Sequence, residues 1–138
     1  SLGITQLKKL DDFVAKRNNL MKTYRNFAKD IYNLEFLEET KGAYSAYHLA
    51  IIKLNYSTKD KHLSLFKYMR AHGIFVQIHY WPIHLQPYYS NLGFKKGDFP
   101  NAENYAISSF SLPIFPDLKD SEQLKVIKEL KDGINSIF

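Results

Sequence analysis

Between Gln77 and Tyr89 the chain gathers Gln77, His79, Tyr80, Trp81, His84, Gln86, Tyr88 and Tyr89, its densest run of side chains able to do more than pack. Tyrosine and tryptophan offer flat apolar faces with one polar tip, and histidine and glutamine add donors and acceptors. Together they suit a sugar or a nucleobase. An aromatic packing cluster beneath a loop, with both histidines satisfied by backbone groups, would have the same composition. Metal binding fits the spacing poorly. His79 and His84 are separated by a proline, and the next acidic residue is Asp98, so no helical pair or carboxylate cluster completes a ligand set. Glu103 follows a candidate capping residue, Asn101, and reads as a first-turn acid favoured by the helix dipole. There is no Gly-rich phosphate loop, serine elbow or paired-carboxylate motif. The residues alone therefore assign no catalytic group, no metal ligand and no cofactor ligand.

Those side chains need a scaffold, and composition bounds it. The 138 residues are 45% hydrophobic and 24% charged, with no cysteine, as in one soluble globular domain without disulfides, thiolate zinc or a cysteine nucleophile. No window approaches the roughly 18 apolar residues of a membrane span, and no signal-peptide pattern opens the chain. The expected location is cytoplasmic. The net charge of +5 is concentrated: residues 41–72 hold six basic groups and one acidic group. Lys53, Lys59, Lys61, Lys67 and Arg70 could attract phosphate-bearing ligands or nucleic acid. A solvated helix face is the plainer reading, since a surplus of +5 is modest for a nucleic-acid binder.

From Ile4 to Ile31 apolar residues recur at steps of three, four or seven, which predicts one long amphipathic helix. At about 28 residues it would run roughly 42 Å, more than a domain of this size needs, so part of its apolar stripe should face something else. Such a start, at Ser1 rather than Met, reads as cut from a longer protein. Residues 33–43 read as a polar connection, 44–54 as a strand covered on both faces, and 58–70 as a helix capped by Ser57 or Thr58 and left through Gly73. Residues 74–80 alternate as a strand, stopped by Trp81-Pro82. Short helices are expected over 87–93 and 102–108, a strand over 110–112, and a last helix from Asp120 or Ser121.

Five ordered segments carry a resemblance: Ser1 to Asp11, Ser45-Ala46-Tyr47-His48-Leu49, Gly73-Ile74 with His79 to Tyr89, Gly97 to Glu103, and Ser111 to Pro116. They resemble the C-terminal part of the DegT/DnrJ/EryC1/StrS sugar-nucleotide aminotransferases, over essentially the whole chain. His79 to Tyr89 and Gly97 to Glu103 are more narrowly similar to the branch that serves pseudaminic acid synthesis.

The resemblance implies an α+β fold, the small C-terminal domain of a fold type I pyridoxal phosphate enzyme, with a small, largely antiparallel sheet and flanking helices. Residues 1–32 would be an interdomain helix and 33–138 the small domain. The cofactor-binding lysine and the large domain would lie upstream, so the isolated chain is expected to be inactive and to bind no cofactor. The complete protein would be a homodimer that moves an amino group from glutamate to C4 of a UDP-linked 4-keto-6-deoxy sugar. Gln77, His79, Tyr80, Trp81, Pro82 and His84 would recognise that sugar nucleotide, with no nucleic acid or membrane as partner. Two other classes compete: a basic nucleic-acid-binding module using the tyrosines as stacking platforms, and an interaction domain holding a partner helix on the Ile4–Ile31 stripe.

Overall fold

The computed structural model describes residues 2–138. The apolar period of the first thirty residues yields two helices, α1 (Leu2–Leu7) and α2 (Leu10–Ala28), not the uninterrupted one expected. The break is a tightened turn at Lys8 and Lys9, where the Lys9 amide donates to the Gln6 carbonyl at 3.0 Å, three residues back rather than four. Only the C-terminal half of α2 packs, burying Leu20, Met21, Tyr24 and Ala28. Leu2, Ile4 and Leu7 remain 75%, 66% and 67% exposed.

Three strands form one antiparallel sheet in the order β1 (Leu34–Phe36), β2 (Ala50–Leu54), β3 (Ser109–Leu112). The register sets Phe36 beside Ile52 and Ile52 beside Phe110, an apolar row across the sheet. β1 lies inside the stretch read as a connection; its three residues follow Asn33 at φ 66 and are too few to show a period. The strand expected over 44–54 is shorter, because Tyr47 sits at φ 42 in the left-handed region. Asn18 of α2 also draws the Ser45 carbonyl away, donating to it at 3.0 Å. That leaves only 50–54 for the ladder.

The strand expected over 74–80 reduces to a single bridge between Gln77 and Ser111. Its alternation survives, with Ile74 and Val76 buried and Phe75 exposed. The bridge is antiparallel, so 74–80 runs parallel to β2 with β3 inserted between them. The connection from β2 passes through α3 (Lys59–Ala71). Thr58 caps that helix, its hydroxyl accepting the Lys61 amide, and Gly73 leaves it at φ 78.

A 3-10 turn (Ile83–Leu85) and the short helices α4 (Pro87–Asn91) and α5 (Pro100–Ala106) precede β3. Asn101 does not cap α5: Phe99 holds that place and Pro100 takes the first helical position, where its missing N–H is no loss. α6 (Asp120–Ile137) closes the chain and packs on α3 and α2. Gln123 of α6 is buried and donates to the Leu20 carbonyl at 2.8 Å, fastening α6 to α2. Tyr24, Ile52, Leu54, Leu65, Met69, Phe110 and Leu130 fill the space between helices and sheet.

Candidate functional site

Where 74–80 leaves the sheet edge, Tyr80, Trp81, Pro82 and His84 turn together into a cavity of about 560 Å³. Tyr89 of α4, Phe94 and Phe99 of the following loop, and Tyr105 of α5 supply most of the remaining lining. Pro82 ends the extended segment and starts the 3-10 turn, which swings His84 inward. The lining is chiefly aromatic, so it offers flat faces and phenol tips rather than charge.

His84 is the buried polar member, 7% exposed. Its Nε2 hydrogen is donated to Glu103 Oε1 at 2.9 Å, and the same oxygen accepts the Gly97 amide at 2.7 Å. The Gly97 amide first, and His84 second, hold the Glu103 carboxyl below its ordinary value. Glu103 is indeed a first-turn acid of α5. Its partners lie outside its own helix, six and nineteen residues away in sequence, which spacing alone does not reveal.

His79 stands one residue short of the lining. Its ring meets Tyr80 edge-on at 4.8 Å, and its Nε2 lies 2.8 Å from the Ser111 hydroxyl. Ser111 Oγ reaches the Gln77 carbonyl at 3.5 Å, so Ser111 donates there and His79 Nε2 donates to Ser111. That leaves His79 Nδ1 as an acceptor, buried and without a partner among the described residues. The Gln77 side chain is exposed beyond this bridge. Of the six residues expected at the site, the fold brings Tyr80, Trp81, Pro82 and His84 into one cavity and leaves His79 and Gln77 outside its lining. Tyr88 is exposed and packs edge-on against Tyr89 at 5.2 Å.

Three of the basic residues of the middle third lie against aromatic rings of the domain. Lys59 Nζ lies 5.8 Å from the Trp81 ring centre, Lys61 lies 4.9 Å from that of Phe138, and Arg70 lies within 5.4 Å of both Phe66 and Phe75. These cations are engaged with the domain's own rings. The nucleic-acid reading gains no support from them. No helix among the described residues is long and apolar enough to cross a membrane.

Pyridoxal phosphate needs a lysine amine for its covalent link and donors for its phosphate. The cavity lining holds no lysine or arginine, and Lys53 lies within the β2 ladder, paired in register with Glu35 and Ser109. The residues that line this cavity do not form a covalent site for that cofactor.

A three-stranded antiparallel sheet flanked by helices matches the small α+β part of fold type I sugar aminotransferases. The family model for the DegT/DnrJ/EryC1/StrS aminotransferases matches residues 1–131. The chain belongs to that family.

Among its relatives are the erythromycin biosynthesis protein EryC1 of Saccharopolyspora erythraea, 36% identical over 93% of this chain and 34% of that protein, and the UDP-4-amino-4,6-dideoxy-N-acetyl-beta-L-altrosamine transaminase of Campylobacter jejuni, 30% identical over 100% and 35%. The structure superposes on Helicobacter pylori PseC, an aminotransferase of pseudaminic acid biosynthesis, with TM-score 0.89 and 25% identity over 98% of this chain and 36% of PseC. It superposes on Spr1654 of Streptococcus pneumoniae, described as a sugar aminotransferase and solved in its PLP form, with TM-score 0.93 and 23% identity over 99% and 35%. The chain thus spans about a third of the length of the relatives it matches.

Proposed function

We propose that this chain is the C-terminal part of a sugar-nucleotide aminotransferase that moves an amino group from glutamate to C4 of a UDP-linked 4-keto-6-deoxy sugar, in pseudaminic acid type synthesis. Residues 33–138 form the small domain, and residues 1–32 link it to an upstream large domain carrying the lysine and pyridoxal phosphate. The complete protein works as a homodimer in the cytoplasm. The transaminase relative, which matches along the whole chain, supports the sugar class.

The observation that carries the reading is His79 Nδ1, a buried acceptor without a partner among the described residues, on a ring that packs against Tyr80 of the aromatic cavity. Leaving such an atom unpaired is costly, and a sugar hydroxyl is a donor suited to satisfy it. Tyr80, Trp81 and Pro82 supply apolar surface for the flat parts of the nucleotide, His84 stiffens the wall, and Gln77 stands where a phosphate or hydroxyl can reach it.

The test is His79→Ala in the protein with its upstream region. Losing a hydrogen bond to the sugar costs ~1–3 kcal/mol, roughly 5- to 150-fold in affinity. Use of the UDP-sugar should weaken by that factor, while the glutamate half-reaction and the cofactor absorbance stay unchanged. An equal fall in both half-reactions, with lower thermal stability, would make His79 structural and remove the reading.

A further inference from the structure

His84, Gly97 and Glu103 lie on three separate pieces of chain and meet at one oxygen atom. His84 belongs to the 3-10 turn after Trp81, Gly97 sits at φ 98 in the turn after Phe94, and Glu103 is on α5. Glu103 Oε1 takes the hydrogen of both partners, at 2.9 Å from His84 and 2.7 Å from Gly97. The His84 and Glu103 side chains are 7% and 16% exposed, so water competes poorly for the bond between them. Between its ends runs the segment 86–99, which contributes Tyr89, Phe94 and Phe99 to the cavity while Glu103 stands outside the lining. The Phe99 ring lies 4.9 Å from His84 and 6.1 Å from Phe94, so the junction and the aromatic wall are in direct contact.

We propose that Glu103 is the positioning residue of this cavity: without touching the ligand, it pins both ends of segment 86–99 and so holds Tyr89, Phe94 and Phe99 in the same lining as Tyr80 and Trp81. Removing the carboxylate leaves the buried His84 donor and the Gly97 amide without their shared acceptor at once, and the segment then swings away from the cavity. Its part in nucleotide affinity rests on the functional reading above. The pinning itself rests on the geometry alone.

Lys95 and Lys96 are exposed within this segment and give trypsin a local site, and Trp81 is the only tryptophan. Glu103→Ala should raise cleavage at Lys95 and Lys96 at least tenfold, leave cleavage at other sites unchanged, and shift Trp81 emission to longer wavelength. Glu103→Gln should stay within threefold of the parent, because its amide oxygen can accept the same two hydrogens. Parental cleavage in the alanine variant, an equal rise at every site, or a glutamine variant as open as alanine each overturns the proposal. Should the alanine variant lose its circular dichroism signal, His84→Phe decides: faster cleavage confined to Lys95 and Lys96 supports the pinning, and parental cleavage overturns it. In the protein with its upstream region, UDP titrated against Trp81 emission separates the two readings. Quenching at least fivefold weaker in affinity for Glu103→Ala supports the role in binding, and equal affinity overturns that role. Absence of any UDP response in the parent overturns the nucleotide reading of the cavity and leaves the pinning to the trypsin result.

Discussion

The hydroxyl of Tyr24 donates to the carbonyl of Pro113 at 2.8 Å, tying the buried half of α2 to the chain just after β3 across 89 residues of sequence. Burial pushes the Tyr24 phenol well above its ordinary value, so it remains a donor throughout the neutral range. Tyr24→Phe keeps the ring and leaves the Pro113 carbonyl unsatisfied. The expected loss is ~1–2 kcal/mol, read as a lower urea midpoint at unchanged slope.

Gly133 marks the closest approach of α6 to α3. A methyl group there would stand 2.7 Å from Leu65 Cδ1 and 2.8 Å from Tyr68 Cδ1. Alanine is the better helix former by about 1 kcal/mol, but forcing two packed side chains aside costs ~1–3 kcal/mol. Gly133→Ala should therefore lower thermal stability or at best leave it level. A higher melting temperature would show that α3 and α6 can separate freely.

His62 makes stability depend on pH. It is buried at the start of α3 and donates Nε2–H to the Ser109 carbonyl at 3.0 Å. Burial lowers its pKa, outweighing that hydrogen bond. The unfolded chain takes up this proton near the ordinary value, about 6.5, and the folded chain only at lower pH. In that window the unfolded state binds more protons, so stability is full above it, falls as pH drops through it, and levels off once the folded form is protonated. His62→Gln keeps a donor for Ser109 and removes the titration. Urea midpoints between about pH 5 and 7.5 should slope less in the variant.

The α1 face tests the interdomain reading. Ile4 and Leu7 are 66% and 67% exposed, so Ile4→Asp with Leu7→Asp should change the stability of the 138-residue chain by under about 0.5 kcal/mol. In the protein with its upstream region the same pair should lower the melting temperature, because the charges would face the large domain. Unchanged melting there would mean that this face is not the contact.

Caps and amphipathic period together placed α3 and α6, but the period was a looser guide to the inward side: Leu63 and Leu124 are exposed, while Leu65 and Val126 are buried. The aromatic run from Tyr80 to Tyr89 and the motifs around it were equally legible, because residue types that bind rings are uncommon in such density. Alternation was a weaker guide to strands. It showed which face of 74–80 is buried, but a ladder also requires a neighbour, and β3 meets that segment at Gln77 and Ser111 alone.

The family, the longer helices α3 and α6 and the aromatic run from Tyr80 to Tyr89 are recorded locally, in motif, cap and period. Which distant groups share an atom, and where the first helix breaks at Lys8 and Lys9, depends on packing. Tyr47 turns left-handed where Asn18 takes the Ser45 carbonyl, and Glu103 serves His84 and Gly97 rather than only its own helix. A hydrogen bond to a group far along the chain depends on how whole elements pack, and no spacing within a single element encodes it.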